Sequence, residues 1–200
     1  MKKHLEKGLE KGLEKAISYQ EYKDLVSRLI SEGKSTGQNQ TDELLNYSIL
    51  NDKRMKRLDK TITLSQEIIS KTIALEEPQT WLILTESWCG DAAQTIPIIN
   101  KIANENSNIN FKIVLRDENL ELMDEFLTGG GRSIPKLVAM DKDNNVLNSW
   151  GPRPTIATKM VEDYKVENGS LDPQFKKILQ VWYNKDKGKS VQNDFIKFLN

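Results

Sequence analysis

Cys89 is the residue of this sequence whose type and position favour chemistry most clearly. The chain has 200 residues with one Cys and one His, which excludes an intramolecular disulfide and a Cys/His zinc site. Cys89 lies between the apolar run Trp81–Leu84, typical of a buried strand, and a segment with helical periodicity. A thiol at a helix N-terminus faces unpaired N–H groups and the positive end of the helix dipole. Both favour the thiolate, so the position predicts a nucleophile.

The elements that must position Cys89 alternate between helices and strands. Strands are predicted at 81–84, 110–115, 136–140 and 146–150, and helices at 64–75, 91–106 and 118–127. This order predicts a parallel pair of strands with a crossover helix, followed by an antiparallel hairpin. We therefore expect an α/β fold in which helices flank a central mixed sheet.

Helical extensions are predicted on both sides of this domain. Residues 1–63 carry apolar side chains at helical spacing, and residues 166–200 show the same periodicity. Gly8 and Gly12 each cost a helix about 1 kcal/mol relative to Ala, so we expect the first dozen residues to be frayed or to depend on a partner for their order. Ser31 to Gln40 is predicted to be a linker. The apolar stripes must be buried, either on the domain or in a homodimer.

The run Trp88-Cys89-Gly90 resembles the first half of the WCGPC motif of thioredoxins. Pro97 follows Cys89 by eight residues, where thioredoxins carry a proline in the helix after the motif. The sequence here reads WCGDA, a variant with a single cysteine.

A second segment resembles the same family. Arg132-Ser-Ile134-Pro135 is similar to the thioredoxin segment that ends in a cis-proline, beside which an extended substrate can pair. The resemblance covers about residues 64–165. It implies a thioredoxin-like fold for this segment, between the two helical extensions.

Three departures from the thioredoxin pattern surround Cys89. Ala92 replaces the second, resolving cysteine, Asp91 replaces the proline between the two cysteines, and Ile83 replaces a buried acid. The dithiol cycle therefore cannot run within one chain. A single thiolate can attack a disulfide, but glutathione, another small thiol or a second protein must resolve the mixed disulfide.

The resemblance implies a site in which Cys89 is the catalytic residue. The predicted substrate-binding residues are Trp88, Gly90, Asp91, Arg132, Ile134 and Pro135. Asp91 either caps the helix or has a chemical role, and its negative charge disfavours a thiolate two residues away. Arg132 either neutralises an anionic group, such as a thiolate or glutathione, or is a solvated loop arginine.

Two functions from different classes fit this pattern. One is a monothiol thiol-disulfide oxidoreductase acting through Cys89 on a protein disulfide or a small thiol such as glutathione. The other is a non-catalytic thioredoxin-fold module that binds protein, so whether the chain is an enzyme stays open. A third, weaker option is an intermolecular disulfide between two copies through Cys89.

Composition and charge narrow the expected partners. With 29 basic and 29 acidic residues, the net charge of zero argues against a nucleic-acid binder. No apolar run has the length of a membrane span, and the first residues lack the apolar core of a secretory signal. We therefore expect a cytoplasmic protein that needs no metal and no organic cofactor.

Overall fold

A four-stranded mixed sheet forms the centre of the molecule in a computed structural model that describes residues 2–199, with side chains from Leu5 onward. The strands are β1 (Gln79–Thr85), β2 (Ile109–Leu115), β3 (Lys136–Asp141) and β4 (Val146–Trp150). Their order in the sheet is β2-β1-β3-β4, with β1 parallel to β2 and the other two pairs antiparallel. The predicted α/β architecture with a mixed sheet is confirmed.

Helices precede, interrupt and follow the sheet. Those before β1 are α1 (Lys2–Glu14), α2 (Tyr19–Ser31), α3 (Asp42–Thr61) and α4 (Gln66–Ile73). Those between strands are α5 (Gly90–Ala103) and the short α6 (Leu120–Asp124), and those after β4 are α7 (Thr155–Asn168), α8 (Pro173–Asp186) and α9 (Lys189–Phe198). The segment predicted as one helix at 118–127 is instead a 3-10 turn, Arg116–Glu118, followed by α6.

Helices cover both faces of the sheet because successive residues of β1 point to opposite sides. The ring of Trp81 packs against Phe195 of α9, with 5.5 Å between ring centroids. On the other face, the side chain of Leu82 lies 3.7 Å from the position that a Cβ at Gly12 would occupy. This two-sided burial explains why β1 reads as a continuous apolar run.

The first helix is ordered on the domain, which corrects the expectation of a frayed N-terminal segment. Leu9 is buried, and both glycines of α1 face Leu122 of α6. At Gly12 a Cβ would lie only 2.8 Å from the Leu122 side chain, so the absence of a side chain there allows the close approach of the two helices and compensates for the weak helix propensity of glycine. Ile17 then exchanges two backbone hydrogen bonds with Ile113 and covers the outer edge of β2.

Buried apolar side chains form two separate clusters. The main cluster contains residues from all three predicted segments, for example Leu9, Trp81 and Phe195. The second belongs to the consecutive helices α7 and α8, here called the α7–α8 hairpin, residues 155–186. Its buried members are Ala157, Val161, Phe175, Leu179 and Tyr183. The domain boundaries drawn from the sequence stay predictions.

None of the helices within residues 2–199 has the length and apolar character needed to cross a membrane.

Candidate functional site

Cys89 is the N-cap residue of α5 and lies directly after the loop that leaves β1. Its thiol donates a hydrogen bond to the carbonyl oxygen of Ile134, with 3.2 Å between Sγ and oxygen. The peptide bond between Ile134 and Pro135 is cis. The structure thus brings three predicted site residues together, although 45 positions separate Cys89 from Ile134 in the sequence.

Burial controls the protonation of Cys89. The side chain is 8% exposed, and its burial raises the pKa of the thiol to about 12. The negative charge of Asp91 is the second cause of this rise, in the direction expected from the sequence. Backbone N–H groups of Ala92 and Asp91, together with the charge of Arg153, act in the opposite direction but are outweighed. In this arrangement the helix N-terminus does not suffice to ionise the thiol.

Asp91 connects Cys89 to the C-terminal part of the chain. One carboxylate oxygen accepts a hydrogen bond from the Tyr183 hydroxyl at 2.9 Å, and the other lies 2.7 Å from a guanidinium nitrogen of Arg153. The helix cap considered for Asp91 is not formed, because both oxygens face these partners. Burial raises the pKa of Asp91, and Arg153 and Tyr183 oppose that effect.

Helix α8 lies over the first turn of α5. A Cβ at Gly90 would sit 3.2 Å from the side-chain nitrogen of Gln180. The amide of Gln180 also accepts a hydrogen bond of 2.9 Å from Gln94, one turn further along α5. Gly90, predicted to contact substrate, is therefore covered by α8.

A buried polar cluster holds the loop before Cys89 from the opposite side. The hydroxyl of Ser87 accepts hydrogen bonds from the backbone N–H and the hydroxyl of Thr36, each at 3.1 Å. It also lies 2.7 Å from the hydroxyl of Ser48 in α3, and Asn51 donates to the Ser87 carbonyl at 2.8 Å. The segment predicted as a plain linker, Ser31 to Gln40, thus fixes the reactive loop through Thr36.

Glu86 is a buried carboxyl group three residues before Cys89, and sequence reasoning missed it. Its side chain is fully buried and accepts a hydrogen bond from the backbone N–H of Asp117 at 2.9 Å. Burial raises the pKa of Glu86 to about 7, while the bonds from Asp117 and Thr36 act against this rise. Glu86 directly follows β1, and this position at the end of an apolar strand is the feature of the sequence that could have indicated a buried carboxyl group.

Trp88 and Arg132 lie on the other flank of the site. The guanidinium of Arg116 stacks over the Trp88 ring at 5.0 Å from its centroid. Arg132 forms two hydrogen bonds of 2.6 and 2.7 Å with Asp124. Arg153 is the arginine whose charge acts on Cys89, whereas Arg132 is engaged with a carboxylate.

Two missed residues, Arg153 and Tyr183, differ in how visible they were. Arg153 follows β4 by three residues, in Gly151-Pro-Arg-Pro154, so its closeness to a strand end could have been noticed. Tyr183 gave no signal, since its role depends on where α8 packs. Among the residues that the structure describes, no group of three or more His, Cys, Asp or Glu side chains could hold a metal ion.

Comparisons with known proteins agree with the fold. A family model described as thioredoxin matches residues 37–165. A crystal structure of an HIV epitope scaffold has a TM-score of 0.55 and 14% identity, covering 86% of this chain and 94% of its own. A crystal structure of a protein of unknown function from Pseudomonas aeruginosa has a TM-score of 0.54, 16% identity and the same coverage of 86% and 94%. At these identities the two structures support the fold alone. No curated protein matches.

Proposed function

Since the chain belongs to the thioredoxin family, we propose that it is a monothiol thiol-disulfide oxidoreductase that acts through Cys89. One observation carries this proposal: the sulfur lies at the start of α5 and 3.2 Å from the carbonyl oxygen that precedes Pro135. An extended substrate can pair with the backbone of that segment while its disulfide meets the sulfur.

The proposed reaction is a sequence of two exchanges. Cys89 loses its proton to water, and the thiolate attacks one sulfur of a disulfide R–S–S–R′. A bond forms between Cys89 and the R sulfur, the S–S bond breaks, and R′ leaves as a thiolate. An external thiolate then attacks the R sulfur, releases the Cys89 thiolate and forms a new disulfide with R. The external thiol is required because the sequence has no second cysteine.

The reaction requires a form of the protein in which water reaches Cys89. With a pKa of about 12, roughly one thiol in 10⁵ is ionised at pH 7. Removal of α8 from the site would restore hydration and bring the pKa back towards that of an ordinary cysteine. A reducing, cytoplasmic location and glutathione or a protein thiol as the resolving partner form part of the proposal.

A second candidate is a non-catalytic binding module. The observation that favours it is the same burial of Cys89, because a thiol kept neutral is a poor nucleophile. In this alternative, Ile134 and Pro135 bind a partner and the sulfur forms no covalent bond. A homodimer is a further proposal that fits either function.

Mixed-disulfide formation distinguishes the two candidates. The folded protein and its Cys89→Ser variant are incubated with glutathione disulfide at pH 7.5, and intact mass is measured over time. The redox proposal expects one glutathione adduct on the wild type, none on the variant, and release of the adduct by added thiol faster than from a model peptide. An adduct that forms only in denaturant, or is released no faster than from the peptide, would support the binding module.

A further inference from the structure

We propose that the α7–α8 hairpin is a lid that opens as a unit to expose Cys89, and that Asp91 is the latch that holds it closed. The proposal concerns the regulation of the site described above and rests on the proposed function for its purpose. The opening itself can be measured independently of any redox activity.

Hydrogen bonds join the lid to the site and to α3. Asp91 accepts from Tyr183, Gln94 donates to Gln180, and Arg57 of α3 donates to Asn184 at 2.7 Å. Water can replace each of these bonds when the helices separate, so every bond contributes only a modest net free energy. This differs from an interface made by interlocking apolar side chains, which cannot open without exposing a large apolar area.

The lid also has an apolar cluster of its own. Phe175 stacks on Tyr164 with 4.2 Å between ring centroids, and Leu179 and Val161 are buried members of the same cluster. This cluster is separate from the main cluster around the sheet. The hairpin can therefore leave the site with its internal packing intact, as a unit that opens below the free energy of global unfolding.

Both ends of the lid are fixed beside α9. The carboxylate of Asp194 in α9 accepts hydrogen bonds from the backbone and the hydroxyl of Thr155, at the start of α7, and from the Trp150 ring. At the other end, Gly188 separates α8 from α9 and packs tightly, so that a Cβ there would lie 2.7 Å from Ile98. A hairpin held at two neighbouring points can swing without disturbing the sheet.

The latch links lid position to the chemistry of the sulfur. Asp91 is two residues from Cys89 and receives both the Tyr183 hydroxyl and the Arg153 guanidinium when the lid is closed. Opening removes Tyr183 and Gln180 from the first turn of α5 and lets water enter. The same movement thus gives a disulfide access to the sulfur and removes the burial that keeps the thiol protonated.

Alkylation of Cys89 tests the lid. The rate of reaction with iodoacetamide is measured for the wild type, for Tyr183→Phe, and for Tyr164→Phe as a matched control. Tyr164 also donates its hydroxyl to a carboxylate, that of Asp172 at 2.7 Å, but within the lid. Tyr183→Phe removes a hydrogen bond to a charged group that exists only in the closed form. The alkylation rate of this variant should therefore be about tenfold higher than that of the wild type. The control should stay within about twofold of the wild type.

A second measurement separates lid opening from unfolding. Below the unfolding transition, the alkylation rate should depend on urea far less steeply than global unfolding does, because opening exposes little surface. If Tyr183→Phe is too unstable to study, Gln180→Ala removes another lid contact and should also accelerate alkylation.

The proposal is wrong if the Tyr183 and Tyr164 variants react at the same rate, or if the wild-type rate follows global unfolding at every urea concentration. Its failure is distinguishable from failure of the proposed function. Fast alkylation in Tyr183→Phe without an accelerated thiol exchange would retain the lid and reject the redox reaction. Accelerated thiol exchange in a protein whose alkylation rate does not change in Tyr183→Phe would support the redox reaction and reject the lid.

Discussion

Replacement of Glu86 by Gln should stabilise the protein at pH 8 and change its stability little near pH 4.5. The carboxyl group is fully buried, and its pKa is raised from 4.5 to about 7 in the folded protein. Gln retains an oxygen that can accept the N–H of Asp117. The substitution therefore removes the ionisation and preserves the hydrogen bond.

The sign of the effect follows from proton binding. Below about pH 4.5 the group is protonated in both states, so it adds no pH dependence. Between about 4.5 and 7 the unfolded chain loses this proton and the folded protein keeps it, so the free energy of unfolding falls as pH rises. Above pH 7 the penalty is constant. A difference of about 2.5 between the two pKa values corresponds to roughly 3 kcal/mol.

Urea unfolding followed by tryptophan fluorescence measures this effect. The wild type and Glu86→Gln are compared at pH 5, 6, 7 and 8, with Glu125→Gln as a control for the same change at an exposed position. The advantage of Glu86→Gln should grow across this range and level off near pH 8, while the control shows no such growth. A constant difference between pH 5 and pH 8 would refute the reasoning about burial.

Three further substitutions test the packing around the site. Gly151→Ala should lower stability by about 3 kcal/mol or more in thermal unfolding, because φ is +117° and the new Cβ would clash with the backbone oxygen of Pro135. Its control Gly169→Ala, at φ +76° in open space, should cost only about 1 kcal/mol. Ser87→Ala should lower the free energy of unfolding in urea by about 2–4 kcal/mol, since it leaves buried donors without their acceptor. A decrease below about 0.5 kcal/mol would contradict the stabilising role of these hydrogen bonds. Gly8→Ala should raise stability by about 0.5–1 kcal/mol, because its Cβ meets Leu122 at an ordinary 3.4 Å; an unchanged melting temperature would contradict an ordered α1.

The sequence was sufficient to predict the elements whose burial follows from a local pattern of apolar residues. The apolar run Trp81–Leu84 predicted β1, and the bounds predicted for β4, Val146 to Trp150, agree with the structure. The approach of Cys89 to Pro135 was predicted through the family resemblance. These features depend on periodicity and on motifs that carry their own geometry.

The cover over the site could not be predicted in the same way. The periodicity of α8 shows that one face is buried but not which surface buries it. Tyr183 therefore had no visible connection to Asp91, and the expected reactivity of Cys89 was derived from the helix N-terminus and the charge of Asp91, without the burial of the thiol. The polar cluster of Thr36, Ser48 and Ser87 was missed for a related reason, since such residues are mostly exposed and their burial depends on tertiary contacts.

The packing of α9 sets an order in which the fold can be completed. Phe195 is fully buried and contacts the rings of both Trp81 and Trp150, each with 5.5 Å between centroids. During synthesis, the rings of Trp81 and Trp150 therefore lack their contact with Phe195 until a helix far along the chain has been made. Contacts of such long sequence separation slow folding and leave apolar surface open to wrong association. Newly made chains that lack α9 should be the form of this protein that most needs a chaperone.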